Sequence, residues 1–90
     1  MLSWTVSISA SARKSIARAP RHERDRLLLE LDRLATDPLS GNTVRLHGTP
    51  NAARRRVGDW RILFELDLDR RCLSVMAVTR RTSTTYRKRH

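Results

Sequence analysis

The sequence has 90 residues, the length of one domain, and we predict a single domain over residues 1–90. Its formal net charge of +10 at pH 7 favours polyanionic partners, with nucleic acid first among them. The single cysteine, Cys72, excludes an internal disulfide, and without a signal peptide or a long apolar stretch we expect a soluble cytoplasmic protein with no membrane association.

The first part of the sequence predicts one strand followed by two helices. The segment WTVSISA (residues 4–10) alternates apolar and polar side chains, which indicates a strand. Ala12, Ile16 and Ala19 then recur at helical spacing, and Pro20 ends this helix. A second, amphipathic helix is predicted over about residues 21–36, and we expect its apolar stripe to face the core. The stripe consists of Leu27, Leu28, Leu31, Leu34 and Ala35.

The rest of the sequence predicts a long loop and three strands. The stretch TDPLSGNTVRLHGTPN is rich in turn-forming residues and is predicted to be the longest loop. AARRRV and WRILFELD predict two strands joined by a tight Gly-Asp turn, and RCLSVMAV predicts the last strand. The order is β-α-α-β-β-β, which predicts a compact α+β domain with an antiparallel sheet and two helices packed on one face.

Arginines concentrate in the predicted hairpin. Residues 54–90 hold eleven basic and four acidic side chains, net +7, whereas residues 1–53 hold eight and five, net +3. Because side chains alternate along a strand, Arg54, Arg56 and Arg61 can share the face opposite the helices. Such a cluster repels itself, and a bound polyanion would offset that repulsion. The alternative is a solvated face on which arginine stems cover apolar surface.

Few other residues indicate chemistry. Tyr86 follows Arg80 and Arg81, and a tyrosine among arginines can stack on a base while the arginines hold phosphates. The three histidines are too scattered for a metal motif, and there is no glycine-rich phosphate loop. We therefore predict no metal site and no cofactor.

The hairpin and its flanks resemble the RelE/ParE toxin superfamily. ARRRVGDWRILFELD is similar to the hairpin motif of that superfamily, and VSISASARKSIARAP is similar to its first strand and helix. LDRLATDP, VRLHG and VTRRTSTTYR resemble the second helix end, the approach to the hairpin and the terminal strand. The resemblance covers nearly the whole chain and implies a RelE-like fold. Two positions depart from the pattern, because Ala53 stands where an aromatic residue is common and Arg55 where an apolar one is common.

The resemblance also implies a function and a set of site residues. Members of the RelE branch are toxins of type II toxin–antitoxin pairs that cleave mRNA on the ribosome and leave a 2′,3′-cyclic phosphate. The catalytic residues implied by this branch are Arg56, Arg61, Arg81 and Tyr86. The RNA-binding residues that we predict around them are Arg54, Arg55, Arg80, Arg87 and Lys88, and Arg80 is the alternative to Arg81.

Two other functions remain open. Some superfamily members inhibit DNA gyrase without being enzymes, and a nucleic-acid-binding module without catalysis is a third possibility. The presence of both Arg81 and Tyr86 favours the endoribonuclease. The partners that this implies are a cognate antitoxin, in a hetero-oligomer, together with the ribosome and mRNA.

Overall fold

The computed structural model describes residues 3–80, and these residues form two helices and one five-stranded sheet. The elements in chain order are β1 (Thr5–Ile8), α1 (Ala10–Arg18), α2 (Arg21–Thr36), β2 (Thr43–Arg45), β3 (Ala52–Val57), β4 (Trp60–Asp67) and β5 (Cys72–Arg80). The predicted α+β fold and element order are confirmed. The short strand β2 is an addition, because it lies inside the segment that was predicted to be the longest loop.

The strands are arranged in the order β1-β5-β4-β3-β2. Strands β3 to β5 form the predicted antiparallel meander, β2 adds a fourth antiparallel strand beside β3, and β1 pairs with β5 in parallel. The sheet is therefore mixed rather than purely antiparallel. A parallel pair needs a long connection between its strands, and both helices and strands β2 to β4 lie between β1 and β5 along the chain.

Local sequence explains how the helices begin. Ser9 caps α1, because its side-chain oxygen accepts a hydrogen bond of 3.1 Å from the backbone N–H of Ala12. The same hydroxyl donates to the carbonyl of Met76 at 2.9 Å, which fixes the start of α1 on β5. Helix α2 begins directly after Pro20, whose ring cannot continue α1 but suits a helix start.

Both helices cover one face of the sheet, and the core lies between the helices and that face. The helices contribute Ala12, Ile16, Leu27, Leu31 and Leu34 to this core. The sheet contributes mainly Ile62, Phe64, Leu66, Leu73, Val75 and Val78. Leu28, predicted to lie on the core-facing stripe, is 46% exposed, so the buried stripe of α2 is narrower than expected. The opposite face of the sheet is left open.

Two negative findings hold for the part of the chain that the structure describes. None of its helices combines the length and apolar character needed to cross a membrane. Within residues 3–80 there is also no group of three His, Cys, Asp or Glu side chains that could hold a metal ion.

Candidate nucleic-acid interface

Strand pairing places three arginines on the open face of the sheet. Arg56 lies opposite Arg61 across the β3–β4 turn, and Arg54 lies opposite Leu63. Gly58 makes this tight turn possible by adopting a φ of 61°, which a residue with a side chain rarely does. Directly opposite residues share a face, so all three guanidinium groups lie on the side away from the helices. This is the arrangement that side-chain alternation predicted.

The three arginines line a shallow cavity of about 510 Å³. Its other wall is formed by residues 41–44, which comprise the end of the loop after α2 and the start of β2. The hairpin therefore supplies the charge, and β2, which the sequence did not reveal, supplies the second wall. We call this cavity the arginine cavity.

The charge in the arginine cavity is uncompensated within residues 3–80. No carboxylate oxygen of this region lies within 4.0 Å of a nitrogen of Arg54, Arg56 or Arg61. Arg56 donates from Nε to the carbonyl of Gly58 at 3.3 Å, a contact that brings no negative charge. Guanidinium groups bind phosphate oxygens bidentately, so the arrangement is suited to a polyanion.

Arg55 lies on the other side of the sheet, so its predicted role in RNA binding is wrong. Its side chain is only 1% exposed and reaches toward α2, where Nη1 donates to Glu30 Oε2 at 3.1 Å. Nε donates to Thr43 Oγ1 at 2.9 Å, and Nη2 donates to the carbonyls of Asp37 (3.3 Å) and Ser40. A side chain that is buried and satisfied in this way cannot reach a nucleic acid.

Arg55 instead holds in place the second wall of the arginine cavity, residues 41–44, from the helix-covered side of the sheet. Its bonds to Asp37, Ser40 and Thr43 immobilise the loop between α2 and β2. The loop turns at Gly41, which has a φ of 68°. The sequence held a signal for this role, because Arg55 alternates onto the same face as Ala53 and Val57, both of which are buried.

Arg80 is not brought together with the three arginines of the cavity. It lies opposite Trp60 in the β4–β5 pair, whereas Arg61 lies opposite Thr79, so Arg80 belongs to the helix-covered side. Its guanidinium carbon is 5.9 Å from the centre of the Trp60 ring. Its Nη2 is 3.9 Å from Oε2 of Glu23, whose other oxygen accepts a hydrogen bond from Trp60 Nε1 at 2.9 Å.

The remaining predicted site residues fall outside the described residues. They are Arg81, Tyr86, Arg87 and Lys88. Their assignment continues to rest on the sequence alone.

Comparison with known proteins points to one family. The family model described as "ParE toxin of type II toxin-antitoxin system, parDE" matches residues 6–84. A search of curated proteins gives no significant match.

Solved structures of toxins share the fold. RelE in the archaeal RelE–RelB complex from Pyrococcus horikoshii OT3 has a TM-score of 0.79 at 21% identity, with 89% of this chain and 97% of that chain covered. The isolated E. coli RelE toxin has a TM-score of 0.78 at 16% identity, covering 94% and 93%. A YoeB/ParE toxin from Agrobacterium tumefaciens has a TM-score of 0.72 at 13% identity, covering 87% and 99%. At these identities the similarity establishes the fold alone.

Proposed function

The chain belongs to the ParE toxin family and is the toxin of a type II toxin–antitoxin system, and from this premise we propose that it acts as a ribosome-dependent endoribonuclease that cleaves mRNA. The observation that carries the proposal is the arginine cavity. Three guanidinium groups share one open face with no carboxylate partner among residues 3–80. A self-repelling cluster of this kind is stabilised when a phosphate backbone binds to it.

The chemistry fits a site without histidine or metal. RNA carries its own nucleophile, the 2′-hydroxyl, whose attack on the adjacent phosphate breaks the bond to the 5′-oxygen and leaves a 2′,3′-cyclic phosphate. The protein must hold the phosphate in line and stabilise the negative charge that develops on it. Arg56 and Arg61, which face each other across β3 and β4, are the pair that we assign to this phosphate.

Two further roles come from the resemblance to the RelE branch. We assign Arg81 to the leaving 5′-oxygen and Tyr86 to stacking on a base or to proton transfer. An arginine keeps its proton, so it is a poor general acid or base. Slow chemistry on free RNA follows, and the ribosome supplies the positioning that accelerates it.

The partners follow from the proposed activity and from the structural relatives. The P. horikoshii structure is a RelE–RelB complex, and another match is an intact E. coli RelBE toxin–antitoxin complex. We accordingly propose a cognate antitoxin that forms a hetero-oligomer with this chain. The other partners are the ribosome and its mRNA, which places the site of action in the cytoplasm. The activity requires no cofactor.

A gyrase-directed toxin is the second candidate, because the matching family model is that of ParE toxins. One experiment separates the two. The chain is induced in cells, new mRNA 5′ ends are mapped, and the purified protein is added to a gyrase supercoiling assay. New 5′ ends that appear with the wild type and not with Arg61→Ala support the endoribonuclease. Inhibited supercoiling without new 5′ ends would establish the gyrase inhibitor instead.

A further inference from the structure

A cross-strand row on the open face contains one residue that is not an arginine. The backbone N–H of Arg56 donates to the carbonyl of Asn42 at 3.0 Å, so the pairing of Thr43 with Arg55 continues by one residue. Asn42 therefore lies opposite Arg56, which in turn lies opposite Arg61. Neighbouring strands are about 4.8 Å apart, which places Asn42 one strand from Arg56 and about 10 Å from Arg61.

The side chain of Asn42 is available to a ligand. Asn42 is exposed and lines the arginine cavity, and its amide makes no hydrogen bond to any residue in the region 3–80. Thr43, the other polar uncharged residue along the cavity wall, has its side chain on the side of Arg55, where it is already engaged. Its hydroxyl donates to the carbonyl of Ser40 at 2.7 Å and accepts from Arg55 Nε at 2.9 Å. Among the described residues that line the cavity, the Asn42 amide is thus the uncharged side-chain group that is available for a hydrogen bond to a ligand.

The backbone that carries Asn42 is rigidly supported. The preceding loop is bonded to the buried guanidinium of Arg55, and Asn42 itself is bonded to Arg56 of β3. A binding group on a fixed backbone loses little conformational entropy when it engages a ligand. Beside it, Val44 is 54% exposed next to Arg54, so an apolar surface is present on which a base can lie.

We infer that Asn42 determines base specificity at this site: its amide binds the edge of one base of an RNA strand whose phosphate is held by Arg56 and Arg61. Phosphate contacts position a strand but carry no information about sequence, whereas an asparagine amide has one donor side and one acceptor side that match a base edge. The inference rests on the proposed function, because it takes RNA as the ligand of the arginine cavity.

The test compares RNA binding by four full-length proteins: wild type, Asn42→Ala, Arg56→Ala and the matched control Ser7→Ala. Ser7 is an exposed polar residue on β1, at the other edge of the sheet. Fluorescence anisotropy gives the dissociation constants for short single-stranded oligoadenylate, oligocytidylate and oligouridylate at one fixed salt concentration. Circular dichroism verifies that each protein is folded.

We expect the wild type and Ser7→Ala to prefer one RNA by about fivefold or more, the lower end for one base-edge contact. Asn42→Ala should bring the ratio of the dissociation constants close to one. Arg56→Ala should weaken the binding of all three RNAs by similar factors and so keep the preference. A preference that survives in Asn42→Ala, or a wild type that binds all three RNAs equally, overturns the inference and leaves RNA binding intact. A wild type that binds none of the RNAs overturns RNA as the ligand of the cavity, and the inference with it.

Discussion

Arg55 and Glu30 form an ion pair of 3.1 Å between the centre of β3 and the middle of α2, and the arginine side chain is almost completely buried. The pair joins the sheet to the helix layer directly behind the arginine cavity. Two neighbouring arginines, Arg54 and Arg56, face the opposite way, so successive residues of one strand serve different purposes. The charge of Arg55 stabilises the fold, and the charges of its neighbours remain free for a ligand.

Removing Glu30 should destabilise the protein strongly. Glu30→Ala leaves a buried guanidinium without its countercharge, and we expect the free energy of unfolding to fall by about 3 kcal/mol. The measurement is urea unfolding followed by circular dichroism. Asp32→Ala is the matched control, because Asp32 is an exposed acid on the same helix and its loss should change stability by no more than about 0.5 kcal/mol. Equal effects of the two substitutions would show that the ion pair contributes nothing.

Arg61→Ala should abolish growth inhibition while the protein remains folded. Arg61 lies in the arginine cavity opposite Arg56, at the position that we assign to the scissile phosphate. Colony formation after induction is the readout, and circular dichroism verifies the fold. The control Arg70→Ala removes the same charge from an exposed position in the β4–β5 turn and should leave toxicity unchanged. Undiminished toxicity of a folded Arg61→Ala protein would remove this residue from the site.

Substitutions of Tyr86 should distinguish stacking from proton transfer. Tyr86→Phe keeps an aromatic ring and loses the hydroxyl, whereas Tyr86→Ala loses both. Single-turnover cleavage on programmed ribosomes is the measurement. A loss of several-fold or more with Phe indicates a role of the hydroxyl, and a loss with Ala alone indicates stacking. Full activity of both variants would exclude Tyr86 from the mechanism.

Association with the antitoxin should depend on salt. We expect the antitoxin to place an amphipathic helix on apolar surface and acidic residues near Arg54, Arg56, Arg61 or Arg81. Complementary charges accelerate the encounter more than they slow dissociation, so higher salt should clearly lower the association rate and change the dissociation rate less. RNA binding by the free toxin should fall more steeply, because each phosphate contact releases counterions. Stopped-flow mixing at low and high salt measures the rates, and a salt-independent association rate would mean that the antitoxin docks away from the arginines.

The sequence predicted those features that a local pattern encodes. Alternation along β3 and β4 separated Arg54, Arg56 and Arg61 from the core residues Ile62 and Phe64, because a strand has a period of two. The same rule would have placed Arg55 on the core-facing side, yet it was predicted to bind RNA. The resemblance to a superfamily then supplied the proposed activity and the proposed roles of residues that no local pattern identifies.

Other features depend on contacts between distant residues. The partner of Arg55 is 25 residues away, and nothing in the local sequence distinguishes Glu30 from the other acids of α2. Strand β2 has three residues in a segment rich in turn formers, and its pairing with β3 defines it. The side of the sheet on which Arg80 lies could be determined only from the strand register, which sets Arg80 opposite Trp60. How much of the apolar stripe of α2 is buried depends on how the helix lies on the sheet, and Leu28 remains exposed.

The parallel pairing of β1 with β5 has a consequence for synthesis. Thr5 pairs with Cys72, so 67 residues must be added after the first partner before the second exists. At about 5–20 residues per second this takes roughly 3 to 13 s. Because β5 lies between β1 and β4, a nascent chain that ends before it can form the helices and the β3–β4 hairpin but leaves β1 without a neighbour. The complete sheet therefore assembles only after β5 has been synthesised, and until then β1 has no partner strand.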